Sequence, residues 1–576
     1  MSREKKLFVR KATGLVREIG PLTAAIIILS NTIGLGWQKR VFQFTGAAPL
    51  PENLWVAGLP PMVMAFLIGG IVILLSVAAF AVLIAAMPRS GGGYVAISRL
   101  VSPFWAFVGS WFEFLSISWS FGIVAVAVFE GVWFIFGPIV GLTAAGVNEV
   151  VLFGAGLLLV LIFTAIGCLG VRMAGYLLQV MWWIPAVLTV YALYLLFTSV
   201  SNPNALIAGI AAFGKAQGVP NLTADTYVKG ALAQGLDAAN VGNYWSAVSV
   251  AMIGAYFAYI GYAASTFVAG EVKEANKTLP KVLVLSGVAI LALYMLVSWA
   301  GAAATAALGR VTLPNGHVWS FFEAYSYLSY GAGNLAKAGV PAVKAWTTTV
   351  AAFTGIGLGF SSLNWLLFIM GCLFVAKDIP PFILTASRVL FAMAFDRVLP
   401  TSLANVNERF HSPVNATIIT GVAALLGCFS ESGVVSTGGP WNPGGVLGGA
   451  LNGIFSIGVA STDLFDAVFF TLFALALVML PYRRPQIYAA APIKLGGKTG
   501  IVLLGIVGVI ANLILDWMIL TAPQDAYNIL APTSDNWFAI GFTVLLGVVG
   551  AVIYLYFKYA HKDVDYSTIF TEIPPE

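Results

Sequence analysis

Two membrane-length apolar segments of this chain are interrupted near their middle. The first interruption is Ser30-Asn31-Thr32-Ile33-Gly34-Leu35-Gly36, and the second is Tyr256-Phe257-Ala258-Tyr259-Ile260-Gly261-Tyr262. Lipid cannot hydrogen-bond the peptide groups that a helix break exposes, so such breaks persist only where protein buries them or where they line a polar cavity. A matched pair of Gly-interrupted spans, one opening each half of a many-span protein, is typical of an inverted-repeat carrier and marks its substrate site.

The rest of the chain has the composition of a polytopic membrane protein. Of its 576 residues, 59% are hydrophobic and 9% are charged, whereas soluble domains carry about 25% charged residues. The chain contains twelve apolar stretches of about 20 residues, which we call span 1 to span 12. They are centred near residues 31, 74, 120, 160, 186, 258, 295, 370, 422, 470, 510 and 548. This pattern predicts an all-α membrane fold with both termini on one side.

The distribution of Lys and Arg predicts the orientation. If both termini are cytoplasmic, the inside segments hold 22 of the 29 Lys and Arg residues, as the positive-inside rule requires. We therefore expect a multi-pass plasma-membrane protein with two cytoplasmic tails. Because topology explains the basic N-terminal tail, we expect no nucleic-acid partner.

The spans divide the chain into consecutive units. These are a tail (1–19), a first repeat of spans 1 to 5 (20–200), an extracellular loop (201–243), a second repeat of spans 6 to 10 (244–481), spans 11 and 12 (482–558) and a second tail (559–576). Asn221 begins a glycosylation acceptor pattern in the extracellular loop. The appended spans 11 and 12 are expected to pack or to dimerise, and the oligomeric state stays open.

Several stretches resemble the amino acid, polyamine and organocation (APC) transporter superfamily. In family order they are Met87-Pro88-Arg89-Ser90-Gly91-Gly92-Gly93-Tyr94, the span 6 break with Glu271-Val272-Lys273 and Leu279-Pro280, Ser387 to Ala394 with Asp396 and Leu399-Pro400, and Pro413-Val414-Asn415-Ala416. The resemblance covers roughly residues 20 to 420. It implies a LeuT-type 5+5 inverted repeat with spans 1 and 6 broken, two appended helices, and an amino acid held at the two breaks.

The predicted substrate site uses the backbone of both breaks. Unpaired N–H groups at the start of the outer half of span 1 would bind a carboxylate, and unwound carbonyls of span 6 would accept bonds from an ammonium group. The predicted substrate-binding residues are Thr32, Ile33, Gly34, Leu35, Gly36, Phe257, Ala258, Tyr259, Ile260, Gly261 and Tyr262. Leu35 occupies the position where the family usually has Ser or Thr, so backbone N–H groups would have to bind the substrate carboxylate without that hydroxyl.

Some side chains near the breaks have two interpretations. Tyr259 and Tyr262, beside Phe257, could form an aromatic gate or simply fill apolar space. Lys39 and Arg40, in the outer half of span 1, could attract an anion, but we expect them to snorkel to the membrane interface.

Lys377 and Asp378 are the candidate coupling residues. If hydropathy alone decides, span 8 ends at these two residues, and both charges lie at the cytoplasmic interface. The apolar stretch from 346 to 395 is too long for one span, and counting back from Ser387-Arg388 places Lys377 inside the membrane, facing the break of span 1. In that register the resemblance implies that its ammonium takes the family's cation site and couples transport to protons. In the other register Ser361 and Ser362 could bind sodium.

Other acidic residues lie within or next to spans. Glu113 is the foremost candidate for a gate or substrate contact, because its helix borders the site in this fold. The remaining candidates are Glu130, Asp463, Asp466 and Asp516, and their spacing does not predict a single cluster. For Asp516 we expect a role in helix packing.

Enzyme and channel functions fit the chain poorly. Its three histidines lie in predicted loops or the tail, no His-Glu-x-x-His pair is present, and no ring of charges or carbonyls marks a pore. We expect no cofactor and no metal site. The break of span 6 contains no acidic residue, so the sequence favours a proton-coupled carrier of neutral amino acids working by alternating access. A polyamine or organocation substrate, sodium coupling and exchange remain alternatives.

Overall fold

The computed structural model describes residues 15, 17–142, 146–523, 527–560 and 566–571. Most of the two predicted tails lies outside the described residues. Among those residues, ten helices are long and apolar enough to cross a membrane, and they correspond to spans 2 to 5 and 7 to 12. Their bounds are Pro61–Ala86, Pro103–Ile139, Glu149–Cys168, Val171–Ser201, Ala275–Ala306, Ser361–Phe395, Val414–Ser432, Gly458–Arg483, Gly497–Thr521 and Ser534–Ala560. The multi-span helical architecture is confirmed, and the total of twelve spans stays a prediction.

Spans 1 and 6 are each built from shorter pieces. Span 1 consists of the helix Pro21–Thr32, a π-helical turn Gly36–Arg40 and the helix Val41–Ala47. Span 6 consists of the helix Tyr244–Tyr259, the short helix Ala264–Phe267 and the 3₁₀ turn Ala269–Glu271. Span 1 leaves helical geometry at Ile33 (φ −84°, ψ 77°), and span 6 leaves it at Ile260 (φ −51°, ψ 135°). Both breaks fall inside the stretches that the sequence singles out.

Shorter elements connect the spans. The connecting helices are Gly93–Leu100, Pro203–Ala216, Ala224–Ala233, Phe321–Tyr330, Thr347–Gly357, Gly445–Ser456, Pro485–Ala490 and Tyr566–Ile569, with 3₁₀ turns at Glu52–Leu54 and Thr401–Ala404. Strands β1 (Val311–Thr312) and β2 (Val318–Trp319) form an antiparallel hairpin in which Val311 pairs with Trp319. The predicted extracellular loop 201–243 is therefore largely helical.

The long apolar stretch before Phe395 folds into two separate parts. Its first part is the helix Thr347–Gly357, which packs on the helix Pro203–Ala216 with the Phe353 and Phe213 rings 5.1 Å apart. Span 8 then runs from Ser361 to Phe395, so Lys377 lies near its midpoint.

Burial separates a central group of spans from a peripheral one. Spans 2, 3, 8 and 10 are the most buried of these ten spans, whereas spans 4, 5, 11 and 12 present many large apolar side chains to the outside. An outer surface of this kind suits contact with lipid. The two broken spans are mostly buried.

Candidate substrate and coupling site

A hydroxyl group from span 7 joins the two breaks. Tyr294 Oη lies within hydrogen-bond distance of the carbonyl oxygen of Thr32 in span 1 and 2.8 Å from that of Ala258 in span 6. A phenol has a single proton to donate, so the two unwound carbonyls share one donor. Sequence reasoning missed Tyr294, because nothing in its neighbourhood indicates a contact with a residue 262 positions away.

Small residues let the two breaks approach closely. Gly261 has a φ of +99°, a left-handed conformation that glycine adopts without steric cost. A Cβ atom at Gly261 would overlap the Asn31 side chain, and one at Gly36 would overlap Ala258. Residues of span 1 and span 6 are thus in van der Waals contact where both helices unwind.

Lys377 directs its ammonium group to the break of span 1. Its Nζ donates to the carbonyl oxygens of Ile33 at 2.5 Å and Ser30 at 3.1 Å, and to Asp378 Oδ1 at 3.0 Å. The side chain is fully buried, and Nζ lies 4.3 Å from the centre of the Phe374 ring. A buried ammonium is costly unless its protons are engaged, and here three acceptors match its three N–H donors.

Asp378 lies on the other side of the same break. Its buried carboxylate faces the backbone N–H of Leu35, and its Oδ2 is so close to Gly34 that a Cβ atom there would overlap it. One of the backbone donors that the sequence assigns to a substrate carboxylate, the Leu35 amide, therefore already faces a carboxylate of the protein. Lys377 and Asp378 form a buried ion pair, with the ammonium at the carbonyl end of the break and the carboxylate at its amide end.

The candidate sodium ligands lie elsewhere. Ser361 and Ser362 are exposed in the first turn of span 8. Lys377 follows 16 residues later, a helical distance of about 24 Å. The structure therefore does not bring these hydroxyls to the break of span 1.

The aromatic residues of the span 6 break face different neighbours. Tyr259 donates to the Phe66 carbonyl of span 2 at 2.9 Å, and the Tyr262 ring lies 5.0 Å from the ring of Phe470 in span 10. The Phe257 ring lies 4.5 Å from the guanidinium of Arg40 in span 1. Tyr259 and Tyr262 thus pack against spans 2 and 10, and their role as a gate stays a prediction.

Glu113 faces span 10. It is buried, and its carboxyl faces that of Asp466. Asp463, one turn earlier on span 10, and Asp516 of span 11 are close enough to Asp466 to act on it electrostatically. The sequence spacing of these carboxyls predicts no single cluster, and helix packing brings Glu113, Asp463 and Asp516 to the same side chain, Asp466, which spacing cannot relate to them.

The fifth carboxyl, Glu130, belongs to a separate network on the predicted outer side. Lys39 pairs with Glu130 and, at 2.5 Å, with Glu431 at the end of span 9, while Lys344 Nζ lies 2.9 Å from Glu130 Oε1. Lys39 and Arg40 are both buried. The expectation that they snorkel is therefore wrong, because spans 3 and 9 supply carboxylates within the protein.

The motifs that carry the family resemblance meet on the predicted inner side. Arg388 forms two hydrogen bonds with Glu271, at 2.9 and 3.1 Å, and both side chains are fully buried. The backbone N–H of Gly91 donates to the Phe267 carbonyl at 2.9 Å, and Ile19 bonds to the Glu271 carbonyl at 2.9 Å. The segment after span 6 is thus fixed to span 8, to the end of span 2 and to the start of span 1.

The last described residues cover part of this inner face. The Phe570 carbonyl accepts a hydrogen bond from Arg484 at 3.1 Å, and the Phe570 ring lies 5.3 Å from the Arg99 guanidinium. Tyr566 donates to the Arg397 carbonyl at 3.1 Å. These contacts join the C-terminal segment to loops that follow spans 2, 8 and 10.

Comparison with known proteins identifies the family. A family model described as amino acid permease matches residues 19–551, which include both breaks and the Lys377–Asp378 pair. The chain belongs to the amino acid permease family. The permease is therefore a multi-pass membrane protein that transports amino acids, and it is not an enzyme.

Individual relatives are distant but similar over most of their length. The permease is 24% identical over 419 residues to the serine/threonine exchanger SteT of Bacillus subtilis, covering 72% of this chain and 76% of SteT. It is 26% identical over 423 residues to an uncharacterized transporter of Mycobacterium tuberculosis, covering 73% and 76% of the two chains. Among solved structures, MhsT in complex with L-phenylalanine matches with a TM-score of 0.48 and 15% identity, covering 88% of the permease and 99% of that chain.

Proposed function

We propose that this permease is a secondary active transporter of neutral amino acids that works by alternating access and is coupled to protons through Lys377. The observation that carries the proposal is the contact of Lys377 Nζ with the carbonyl oxygens of Ser30 and Ile33. An ionisable group inside a membrane span is expensive and therefore a functional candidate. Here its charge lies at the helix break that the family uses for its substrate.

Loss of one proton from Lys377 would change how span 1 is held. The charged ammonium makes charge-assisted hydrogen bonds, which are roughly twice as strong as neutral ones. A neutral amine would bind the two carbonyls more weakly and leave Asp378 without its counter-charge. Spans 1 and 6 could then rock against spans 3, 4, 8 and 9, and reprotonation from the opposite side would restore the first arrangement.

The substrate carboxylate is proposed to bind the backbone N–H groups after Gly34. Its ammonium would bind the carbonyls of Ala258, Tyr259 and Ile260, and Glu113 would contact the substrate or gate its path. Because Asp378 faces the Leu35 amide, an amino acid must displace the Asp378 carboxylate in order to bind there. The lack of an acidic residue in the span 6 break favours a neutral side chain.

The same observation supports a second candidate function. A polyamine or another organocation has no carboxylate and would not compete with Asp378 for the Leu35 amide. We therefore propose organocation transport as the alternative, with sodium coupling or exchange as alternatives for the driving force.

Uptake into proteoliposomes tests both the coupling and the substrate class. We expect a neutral amino acid to accumulate under an imposed proton gradient without sodium. The amine that lacks only the carboxyl group of that amino acid should not be taken up. Lys377→Met should lose the dependence on the proton gradient, whereas Lys281→Met, at an exposed position, should retain it. Uptake that follows sodium and survives Lys377→Met would contradict the coupling, and preferential uptake of the amine would favour the alternative substrate.

We further propose that the permease lies in the plasma membrane with both termini in the cytoplasm. The excess of Lys and Arg on one side supports this orientation. Cysteine labelling from either side of sealed cells, with single cysteines placed in the loop 201–243 and after span 10, would test it.

A further inference from the structure

Glu113 on span 3 and Asp466 on span 10 form a carboxyl pair. The two carboxyls face each other and their residues are only 2% and 1% exposed. One turn away, the Ser116 hydroxyl of span 3 donates to the Thr462 carbonyl of span 10 at 2.8 Å, so the two spans are in close contact here. Two buried carboxylates that face each other would repel if both were ionised, so we infer that the pair holds a proton.

The groups around the pair come from spans 1, 6, 10 and 11. Tyr256 of span 6 donates to Asp466 Oδ2 at 2.7 Å. Tyr262, also of span 6, faces both carboxyls near Ser76, and its buried hydroxyl makes no hydrogen bond of standard geometry within the described residues. Asp516 of span 11 faces Asp466.

Asp463 and Arg40 complete these surroundings. Both Asp463 carboxylate oxygens are buried without a hydrogen-bond partner among the described residues, and the Arg40 guanidinium faces that side chain. Buried polar atoms without partners are rare and require an explanation. Within the described residues, no group of three or more His, Cys, Asp or Glu side chains could hold a metal ion.

We propose that the Glu113–Asp466 pair is a second proton-binding site of the permease, separate from Lys377, and that the position of span 6 sets its proton affinity through Tyr256. The bond from Tyr256 stabilises the ionised form of Asp466, so the pair keeps one proton while span 6 is in place. When span 6 moves and withdraws Tyr256, the pair takes up a further proton from water on the open side. It releases that proton to the other side when the bond re-forms.

The role of the pair in transport rests on the proposed function, but the presence of its proton does not. Infrared spectroscopy of the purified full-length permease can detect that proton, because a protonated carboxyl has a carbonyl band that a carboxylate lacks. Other buried carboxyls such as Glu323 also contribute to this band at neutral pH. We therefore expect one component of the band to be lost or shifted in Glu113→Gln and in Asp466→Asn, and no change in Asp225→Asn, at an exposed position. An unchanged band in both pair variants would overturn the proposal.

A conservative variant distinguishes loss of the proton from misfolding. Glu113→Asp keeps a carboxyl group, so a folded Glu113→Asp permease should retain a component of the protonated carboxyl band that Glu113→Gln lacks. If Glu113→Gln elutes as a folded protein and its spectrum equals that of Glu113→Asp, no proton is shared.

Transport measurements distinguish this proposal from the one about Lys377. In proteoliposomes we expect Glu113→Gln to move one proton fewer per substrate, and Tyr256→Phe to shift the pH of half-maximal uptake upward. Uptake that is independent of protons in the wild type would refute the coupling through Lys377 while leaving the infrared result intact. An unchanged proton ratio in Glu113→Gln, with Lys377→Met uncoupled, would refute only the second site.

Discussion

At the residue scale, two neighbouring side chains of opposite charge serve the two ends of one helix break. A broken helix leaves carbonyls without donors on one side and amides without acceptors on the other. Lys377 donates to the carbonyls of Ser30 and Ile33, and Asp378 faces the amide of Leu35. The break of span 1 is thus stabilised by span 8 rather than by its own helix.

This arrangement makes Gly34 sensitive to substitution. In Gly34→Ala the new methyl group would overlap the Asp378 carboxylate, and overpacking of this kind costs about 1–3 kcal/mol. We expect a lower melting temperature and strongly reduced uptake. Gly20→Ala is the matched control, since no atom lies within 4 Å of a Cβ at Gly20. Equal melting temperatures for the two variants would contradict the close contact with Asp378.

Tyr294 offers a second test at this scale. Tyr294→Phe removes the hydroxyl that the Thr32 and Ala258 carbonyls share, at a cost of about 1 kcal/mol for a lost hydrogen bond. We expect a modest decrease in thermal stability and a larger decrease in uptake, because both breaks lose their common donor. Tyr559→Phe, on a residue that is 66% exposed, should change neither. Full uptake by Tyr294→Phe would show that the bridge is dispensable.

At the element scale, the sequence predicts the two breaks better than the ends of span 8. Gly34 and Gly261 interrupt otherwise apolar spans. Lipid cannot hydrogen-bond the peptide groups that such an interruption leaves unpaired, so it indicates a break that protein buries or that lines a polar cavity. The turn between the helix Thr347–Gly357 and span 8 contains Gly359, with a φ of +84°, but this glycine lies in a long apolar stretch, so hydropathy does not separate the two helices. Only the resemblance around Ser387-Arg388 indicated a register with Lys377 inside the span.

Side-chain partners between elements were less predictable still. Glu113 and Asp466 were both candidates in the sequence, yet their contact depends on how spans 3 and 10 pack. Lys39 lies near a helix end, where snorkelling is the ordinary expectation. Its pairing with Glu130 and Glu431 depends on spans 3 and 9. Such contacts are properties of the packed bundle.

The helix Phe321–Tyr330, in the connection between spans 7 and 8, should make stability depend on pH. Its capping box contains Glu323, which accepts hydrogen bonds from the Ser320 amide at 3.0 Å and the Ser320 hydroxyl at 2.5 Å. Burial raises the pKa of Glu323 to about 8, although the bonds from Ser320 act in the opposite direction. Between its ordinary pKa of about 4.3 and this value, the folded protein binds a proton that the unfolded chain releases, so stability falls as pH rises.

Glu323→Gln removes this titration and keeps both accepted hydrogen bonds. We expect the melting temperature of the wild type to fall more steeply between mildly acidic and mildly alkaline pH than that of Glu323→Gln. Glu274→Gln, whose side chain is 71% exposed in the wild type, should follow the wild type. Parallel curves for wild type and Glu323→Gln would contradict the buried proton.

At the scale of the whole molecule, buried ion pairs join the broken spans to their neighbours on both predicted sides of the membrane. Lys39, Glu130 and Glu431 join spans 1, 3 and 9 on the outer side, and Arg388 and Glu271 join spans 8 and 6 on the inner side. Breaking a buried pair by removing one partner costs several kcal/mol, because it leaves an uncompensated charge. Under the proposed alternating-access mechanism, one network would separate while the other stays formed.

The C-terminal segment adds contacts to the inner side, and its removal should destabilise it. Truncation after Ala560 deletes the contacts of Tyr566 and Phe570 with Arg397, Arg99 and Arg484. We expect a melting temperature several degrees lower than that of a chain truncated after Thr571, which keeps those contacts. Identical melting curves would show that the segment adds nothing to the stability of the inner face.

These same contacts also impose an order on biogenesis. A ribosome synthesises residues 566–571 after span 12, yet their partners follow spans 2, 8 and 10 and leave the ribosome much earlier. Arg99, Arg397 and Arg484 must therefore wait until residues 566–571 have left the ribosome. The predicted inner surface of the permease is completed only after span 12 has been synthesised, so a nascent chain that stalls before span 12 would present these arginines uncovered to quality-control proteases.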